Sequence, residues 1–93
     1  MPFYVYILES ETDGTLYTGQ TADLKGRLER HNRGLIKATK AKIPYQLCYF
    51  EIYQSRSEAM WREWELKKKW NTKRKKTLIQ NFDQTKIEKI LGP

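Results

Sequence analysis

The chain opens with a dense apolar run and continues as alternating strand-like and helix-like patterns. Residues 3–8 (FYVYIL) are aromatic or β-branched almost throughout, which favours a strand that is buried on both faces. Asp13 and Gly14 then predict a tight turn, and residues 15–20 return as a second, antiparallel strand. The beginning of the chain therefore predicts a hairpin in which residues 3–8 form a central strand.

A helix is predicted after this hairpin. It begins near Asp23 and ends near Gly34, because glycine is the natural left-handed cap of a helix. Leu24, Leu28 and Leu35 recur at positions that share one side of a helix. We expect this apolar side to pack on the sheet.

The second half of the chain predicts another strand and further helices. Pro44 marks the entry to a third strand over Tyr45–Tyr53, which is rich in aromatic residues. Ser55 and Glu58 form a capping box that begins a second long helix, running to about Trp70. Apolar spacing over residues 72–91 predicts one or two short helices.

These elements predict one α+β domain with a three-stranded antiparallel sheet flanked by helices, in the order β-β-α-β-α-α. A chain of 93 residues is long enough for one small core. We expect the domain to cover residues 1–82, with residues 83–93 forming a C-terminal tail or a short helix.

The charge of the chain indicates a polyanionic partner. There are 18 basic and 11 acidic residues, a formal charge of +7 and a pI near 9.6, which favours nucleic acid. Seven of the ten residues 67–76 are Lys or Arg. Such a basic run is often only a solvated face, but contact with a phosphate backbone is the preferred interpretation, and it gives affinity without sequence choice. The run contributes seven candidate nucleic-acid-binding residues: Lys67, Lys68, Lys69, Lys73, Arg74, Lys75 and Lys76.

Cysteine and histidine are nearly absent. The single Cys48 cannot form an internal disulfide, and with His31 alone it cannot make a zinc site. No signal-peptide pattern and no apolar run of membrane-spanning length is present. We therefore expect a soluble cytoplasmic protein with no membrane partner.

One carboxylate falls on the apolar face of the second long helix. Glu63 shares a stripe with Ala59, Leu66 and Trp70. A buried carboxylate costs several kcal/mol unless it is paired or binds a metal. Arg27 on the first helix is the expected neighbour, and a purely structural ion pair is the alternative.

Other candidate residues have both a structural and a functional interpretation. Tyr6 and Tyr17 lie on paired strands, where tyrosines often belong to the core. His31 lies near a helix C-terminus, where it is either a cap or a catalytic group. Trp61 and Trp64 point away from the Glu63 stripe, and packing against another face is preferred over stacking on bases.

The ordered set of motifs resembles the GIY-YIG nuclease superfamily, and more narrowly its small single-domain UPF0213 group. Two positions depart from the superfamily pattern, since Tyr4 stands where glycine is usual and Thr18 replaces isoleucine. The resemblance rests on Tyr4-Val5-Tyr6, Tyr17-Thr18-Gly19, Arg27, His31 and a glutamate in the helix after the third strand.

The resemblance implies a DNA endonuclease that hydrolyses phosphodiester bonds with one divalent cation, Mg²⁺ or Mn²⁺, held by Glu63. It further implies a role in repair or in processing branched or damaged DNA, and a protein partner that supplies substrate choice. Which of the tyrosines or His31 acts as base is left open. A nucleic-acid-binding module without cleavage is the alternative, and a protein-interaction domain ranks below both. The implied catalytic residues are Tyr6, Tyr17, Arg27, His31 and Glu63.

Overall fold

A computed structural model, which describes residues 1–92, confirms the α+β class and the predicted order of elements. The segment after the second long helix forms two short helices. Within residues 1–92, no helix combines the length and the apolar character that crossing a membrane requires. The elements are β1 (Phe3–Ser10), β2 (Leu16–Thr21), α1 (Leu24–Asn32), a 3₁₀ turn (Lys40–Lys42), β3 (Tyr45–Tyr53), α2 (Arg56–Lys68), α3 (Thr72–Gln80) and α4 (Thr85–Leu91).

The three strands form one antiparallel sheet in the order β2-β1-β3, so β1 is the central strand as predicted. Its middle residues, Val5 to Leu8, are at most 1% exposed. Because side chains alternate along a strand, Tyr6 and Val5 point to opposite faces of the sheet. The two faces consequently carry separate apolar clusters.

The first face is covered by α1 and α4. Tyr6 and Leu8 pack there with Leu24 of α1, and Ile87 and Ile90 of α4 join the same cluster. On the second face, Val5 packs against Ala59 and Leu66 of α2, with Leu78 of α3 beside them. The helix α4 therefore belongs to the packed structure and covers part of the sheet.

The ends of α1 and α2 agree only in part with the prediction. Gly34 has φ +76° and ends α1 as expected, with its N–H donating to the His31 carbonyl at 3.1 Å. Leu35 is 56% exposed, so its placement on the core side of α1 is wrong, because the chain leaves the helix at Gly34. The helix α2 ends at Lys68, slightly before the predicted Trp70, although Trp70 still packs on the second face.

Candidate functional site

The sheet brings Tyr6 directly opposite Gly19, where β1 pairs with β2. A Cβ atom on residue 19 would lie 2.5 Å from the Tyr6 hydroxyl oxygen and 3.1 Å from Cε2 of Tyr17. Only glycine therefore lets the Tyr6 ring extend across β2. Gly19 thus leaves the space that the Tyr6 hydroxyl occupies.

Tyr6, His31 and Thr39 form a buried hydrogen-bonded chain. The Tyr6 oxygen lies 2.9 Å from His31 Nε2, and the other ring nitrogen, Nδ1, lies 2.8 Å from the Thr39 hydroxyl. Since that hydroxyl donates to the Ile36 carbonyl, it accepts from Nδ1–H, and Nε2 accepts the proton of Tyr6. Both ring nitrogens of His31 are thus occupied, so its interpretation as a helix cap is wrong.

The surroundings keep Tyr6 and His31 uncharged at neutral pH. Burial, together with the smaller effect of the neighbouring Arg27 guanidinium, lowers the pKa of His31 to about 4. Burial raises the pKa of Tyr6 to about 12, against an opposing contribution from Arg27 and with smaller contributions from Tyr17 and Glu63 that raise it. These influences show that Arg27 and Glu63 both lie within electrostatic reach of the Tyr6 hydroxyl.

The depressed pKa of His31 predicts a loss of stability in mild acid. An unfolded chain protonates its histidine below a pKa of 6.5, whereas the folded protein resists until about 4. Stability is therefore complete above pH 6.5 and falls between 6.5 and 4. We expect urea denaturation to show a loss of about 2 kcal/mol from pH 7 to pH 5. In His31→Gln this loss should shrink; an unchanged pH dependence would contradict the assignment.

Arg27 projects from α1 into the same cluster with an unused donor. Its side chain is half-buried, and its Nε atom is buried without a hydrogen-bond partner among residues 1–92. Buried donors in folded proteins are nearly always satisfied, because an unpaired one costs free energy. An anion that accepts from the guanidinium would remove this cost.

Glu63 enters the site from α2, but its partner is not the one predicted. Its side chain is 22% exposed, and Oε2 lies 2.8 Å from Nζ of Lys67. The predicted Glu63–Arg27 ion pair is therefore wrong. Lys67 lies one helical turn after Glu63 and reaches it without any tertiary contact, while Arg27 is directed toward Tyr6 and His31.

Tyr17 lies between the Tyr6–His31 pair and the Glu63–Lys67 pair. Its ring centroid lies 5.0 Å from that of His31 and 6.4 Å from that of Tyr6. On its other side, Nζ of Lys67 lies 5.5 Å from the Tyr17 ring centroid. The structure therefore brings together, at the β2 side of the sheet, all five residues named from the sequence: Tyr6, Tyr17, Arg27, His31 and Glu63.

The basic run divides into parts with different surroundings. The Arg74 guanidinium stacks 3.6 Å from the Trp70 ring centroid, so part of its role is structural. Lys75 is half-buried, and burial together with the charge of Lys67 lowers its pKa, which places it toward the site. The remaining members of the run outside the Glu63 pair are exposed: Lys68, Lys69, Lys73 and Lys76.

Two residues of the site, Thr39 and Lys67, were not predicted to belong to it. Thr39 lies in the connection before β3, and no local pattern indicates that the chain folds back to place its hydroxyl on His31. Lys67 had a signal, since a Glu followed four residues later by a Lys is a favourable helical pair. It was assigned only to the basic surface.

A second carboxylate, which is truly enclosed, also escaped prediction. Glu51 of β3 binds Arg62 of α2 through two hydrogen bonds, 2.9 Å to Nε and 3.0 Å to Nη2, and accepts from the hydroxyls of Tyr49 and Tyr53. Burial alone would raise the pKa of Glu51, but these donors outweigh it and hold the pKa below its usual value. This network connects the sheet to α2 and lies outside the candidate site.

The match to known proteins places this fold in a family of nuclease domains. Residues 2–77 match the model of the GIY-YIG catalytic domain, and the chain belongs to the GIY-YIG family. Within it, the chain is similar to UPF0213 proteins. One from Staphylococcus aureus (strain Mu3) is 48% identical over 65 residues, which cover 69% of this chain and 78% of the relative; those of strains N315 and MW2 give the same values.

A solved structure agrees with this placement. The solution NMR structure of a UPF0213 protein from Bacillus halodurans is 37% identical, with a TM-score of 0.54. The match covers 86% of this chain and 84% of the other. The three-stranded sheet with flanking helices is thus the fold of both proteins.

Glu63 offers a carboxylate to a metal, and this suits a hard divalent cation that keeps most of its water. Among the residues that the structure describes, no group of three or more His, Cys, Asp or Glu side chains comes together. Mg²⁺ is commonly held by one or two carboxylates together with substrate phosphates and water. Glu63 is the carboxylate of the candidate site and is therefore the residue that would hold the metal, in place of its ion pair with Lys67.

Proposed function

We propose that the protein is a divalent-metal-dependent endonuclease that hydrolyses phosphodiester bonds in DNA. The observation that carries this proposal is the buried Nε of Arg27, which lacks an acceptor in the cluster that also contains the Tyr6–His31 pair. A phosphate oxygen is an acceptor that suits such a donor. The planar guanidinium fits phosphate geometry and balances the negative charge that grows as the bond breaks.

We assign Tyr6 the role of accepting a hydrogen bond from the water that attacks the phosphate. The single hydroxyl proton of Tyr6 is donated to His31, so the lone pairs of its oxygen remain to accept a hydrogen bond from water. His31 stays neutral because its pKa is about 4, and we assign it to positioning the Tyr6 hydroxyl. The Tyr17 ring then separates His31 from Lys67. We therefore favour Tyr6 over Tyr17 and His31 for this role.

Glu63 is assigned to the cation, either Mg²⁺ or Mn²⁺. When bound, such an ion neutralises charge on the phosphate and on the departing oxygen. Glu63 offers one carboxylate from a helix that packs rigidly on the sheet through Ala59 and Leu66. Lys67 would have to move away from Oε2 for Glu63 to hold the ion, and the partly exposed side chain of Lys67 permits this movement.

The exposed lysines of α2 and α3 are assigned to the DNA backbone. They are Lys68, Lys69, Lys73 and Lys76, and they add to a chain of formal charge +7. Contacts of this kind select no sequence, so choice among branched or damaged substrates in DNA repair would come from DNA shape or from a protein partner. A cytoplasmic location belongs to the same proposal, and the free thiol of Cys48 suits a reducing compartment.

The test is cleavage of labelled single-stranded, duplex and forked DNA with Mg²⁺, with Mn²⁺ and with EDTA. We expect metal-dependent cleavage that falls by about 100-fold in Arg27→Ala, because the phosphate loses its cationic partner. The matched control is Arg30→Ala, an exposed arginine of the same helix, which should cleave normally. Tight binding with no cleavage under any metal would instead support the non-catalytic binding module.

A further inference from the structure

Two tryptophans of α2 stand in solvent. Trp61 is 63% exposed and Trp64 is 42% exposed, so their interpretation as packing residues is wrong. Their rings stack on each other with centroids 5.1 Å apart and an angle of 22° between planes. Together with Met60 and Ser57 they line a shallow cavity of about 370 Å³. An exposed aromatic patch of this kind is characteristic of a binding surface.

The patch lies on the same helix as Glu63 but on its solvent-facing side, away from the stripe that contains Glu63. Ala59 and Leu66 of α2 are fully buried, and helical spacing puts Trp61 and Trp64 on the opposite side of the helix. Met60 connects the two regions, because it lies three residues before Glu63 and four before Trp64. A strand held on the tryptophans would have to pass around the helix over Met60 to reach Glu63.

The charge around the patch indicates what it binds. Nζ of Lys69 lies 5.6 Å from the Trp64 ring centroid. Lys68, the preceding residue, is also exposed at this end of the helix. Lysine is depleted at protein–protein interfaces, whereas aromatic rings among lysines are typical of sites for single-stranded nucleic acid. Two glutamates of α2 are paired with cations, Glu63 with Lys67 and Glu65 with Arg62, while Glu58 at the start of the helix accepts a hydrogen bond from Ser55 and keeps its charge.

We propose that Trp61 and Trp64 form a stacking platform for unpaired bases of DNA, with Lys68 and Lys69 on the adjoining phosphates. The inference rests on the proposed function and specifies its substrate as DNA with a single-stranded segment. Base stacking tolerates every base, because each base has a π-face. The platform would thus select strand structure without selecting sequence.

The test compares binding of two fluorescent oligomers of equal length, oligothymidylate and an abasic strand that has the same phosphates but no bases. By fluorescence anisotropy, we expect the wild type to bind oligothymidylate about tenfold more tightly than the abasic strand. Trp61→Ala combined with Trp64→Ala should abolish this difference and leave the affinity for the abasic strand unchanged. The corresponding phenylalanine variants should retain most of it.

The control is Leu35→Ala, which removes a 56% exposed apolar side chain elsewhere and should change neither affinity. Equal binding of both oligomers by the wild type, or a difference that survives in the double alanine variant, would overturn the platform and favour a protein-binding patch. Cleavage is not part of this measurement. Base-dependent binding without cleavage would therefore refute the nuclease alone, and cleavage without base-dependent binding would refute the platform alone.

Discussion

Glu63→Gln is expected to lower the cleavage rate by at least about 100-fold while leaving DNA binding intact. Glutamine keeps the size of the side chain but loses the charge that holds a cation. The cost in stability should stay below about 1 kcal/mol, because the partly exposed Glu63–Lys67 pair lies within one helix. Binding should even tighten slightly, since a carboxylate beside the phosphates repels them. Cleavage rates and fluorescence anisotropy measure the two effects.

The matched control for this prediction is Glu65→Gln, on the same helix. Glu65 contacts Arg62 at 3.4 Å, away from Tyr6 and Tyr17, so its loss should leave cleavage nearly unchanged. Wild-type cleavage by Glu63→Gln would refute the assignment of the cation to this carboxylate. A variant that lost binding and folding together would show that Glu63 is a structural residue.

Glu51→Ala is expected to destabilise the fold by about 3–5 kcal/mol, because it leaves the Arg62 guanidinium enclosed without its main partner. Both side chains are under 20% exposed, and the Tyr49 and Tyr53 hydroxyls would lose their acceptor as well. This is a large share of the stability of a small domain. Chemical denaturation followed by circular dichroism measures the change.

Two further variants separate the enclosed charge from ordinary packing. Replacing Glu51 and Arg62 together with methionine should cost clearly less than Glu51→Ala, because no unpaired charge remains. Lys42→Ala removes an ion pair whose side chains are more than 40% exposed and should have little effect. If the double variant were the least stable of the set, packing rather than charge would explain the role of Glu51.

The secondary structure could be predicted closely because it follows from local patterns. The apolar run of β1, the capping box of Ser55 and Glu58 and the glycine at residue 34 each specify a short segment through its own backbone and neighbours. The stripe containing Ala59, Leu66 and Glu63 likewise depends only on helical spacing. The errors lie beyond such local patterns: Leu35 follows the end of α1 and is exposed, and Glu63 pairs with Lys67 instead of Arg27.

The sequence by itself determined the family, the sheet, the basic charge and the identity of the five candidate site residues. Only the tertiary structure decided how those residues are connected: Tyr6 with His31, His31 with Thr39, and Glu63 with Lys67. It also decided that the two tryptophans of α2 face solvent. Periodicity fixes the side of an element on which a residue lies, whereas its partner depends on how separate elements pack, and that packing is set by the whole core at once.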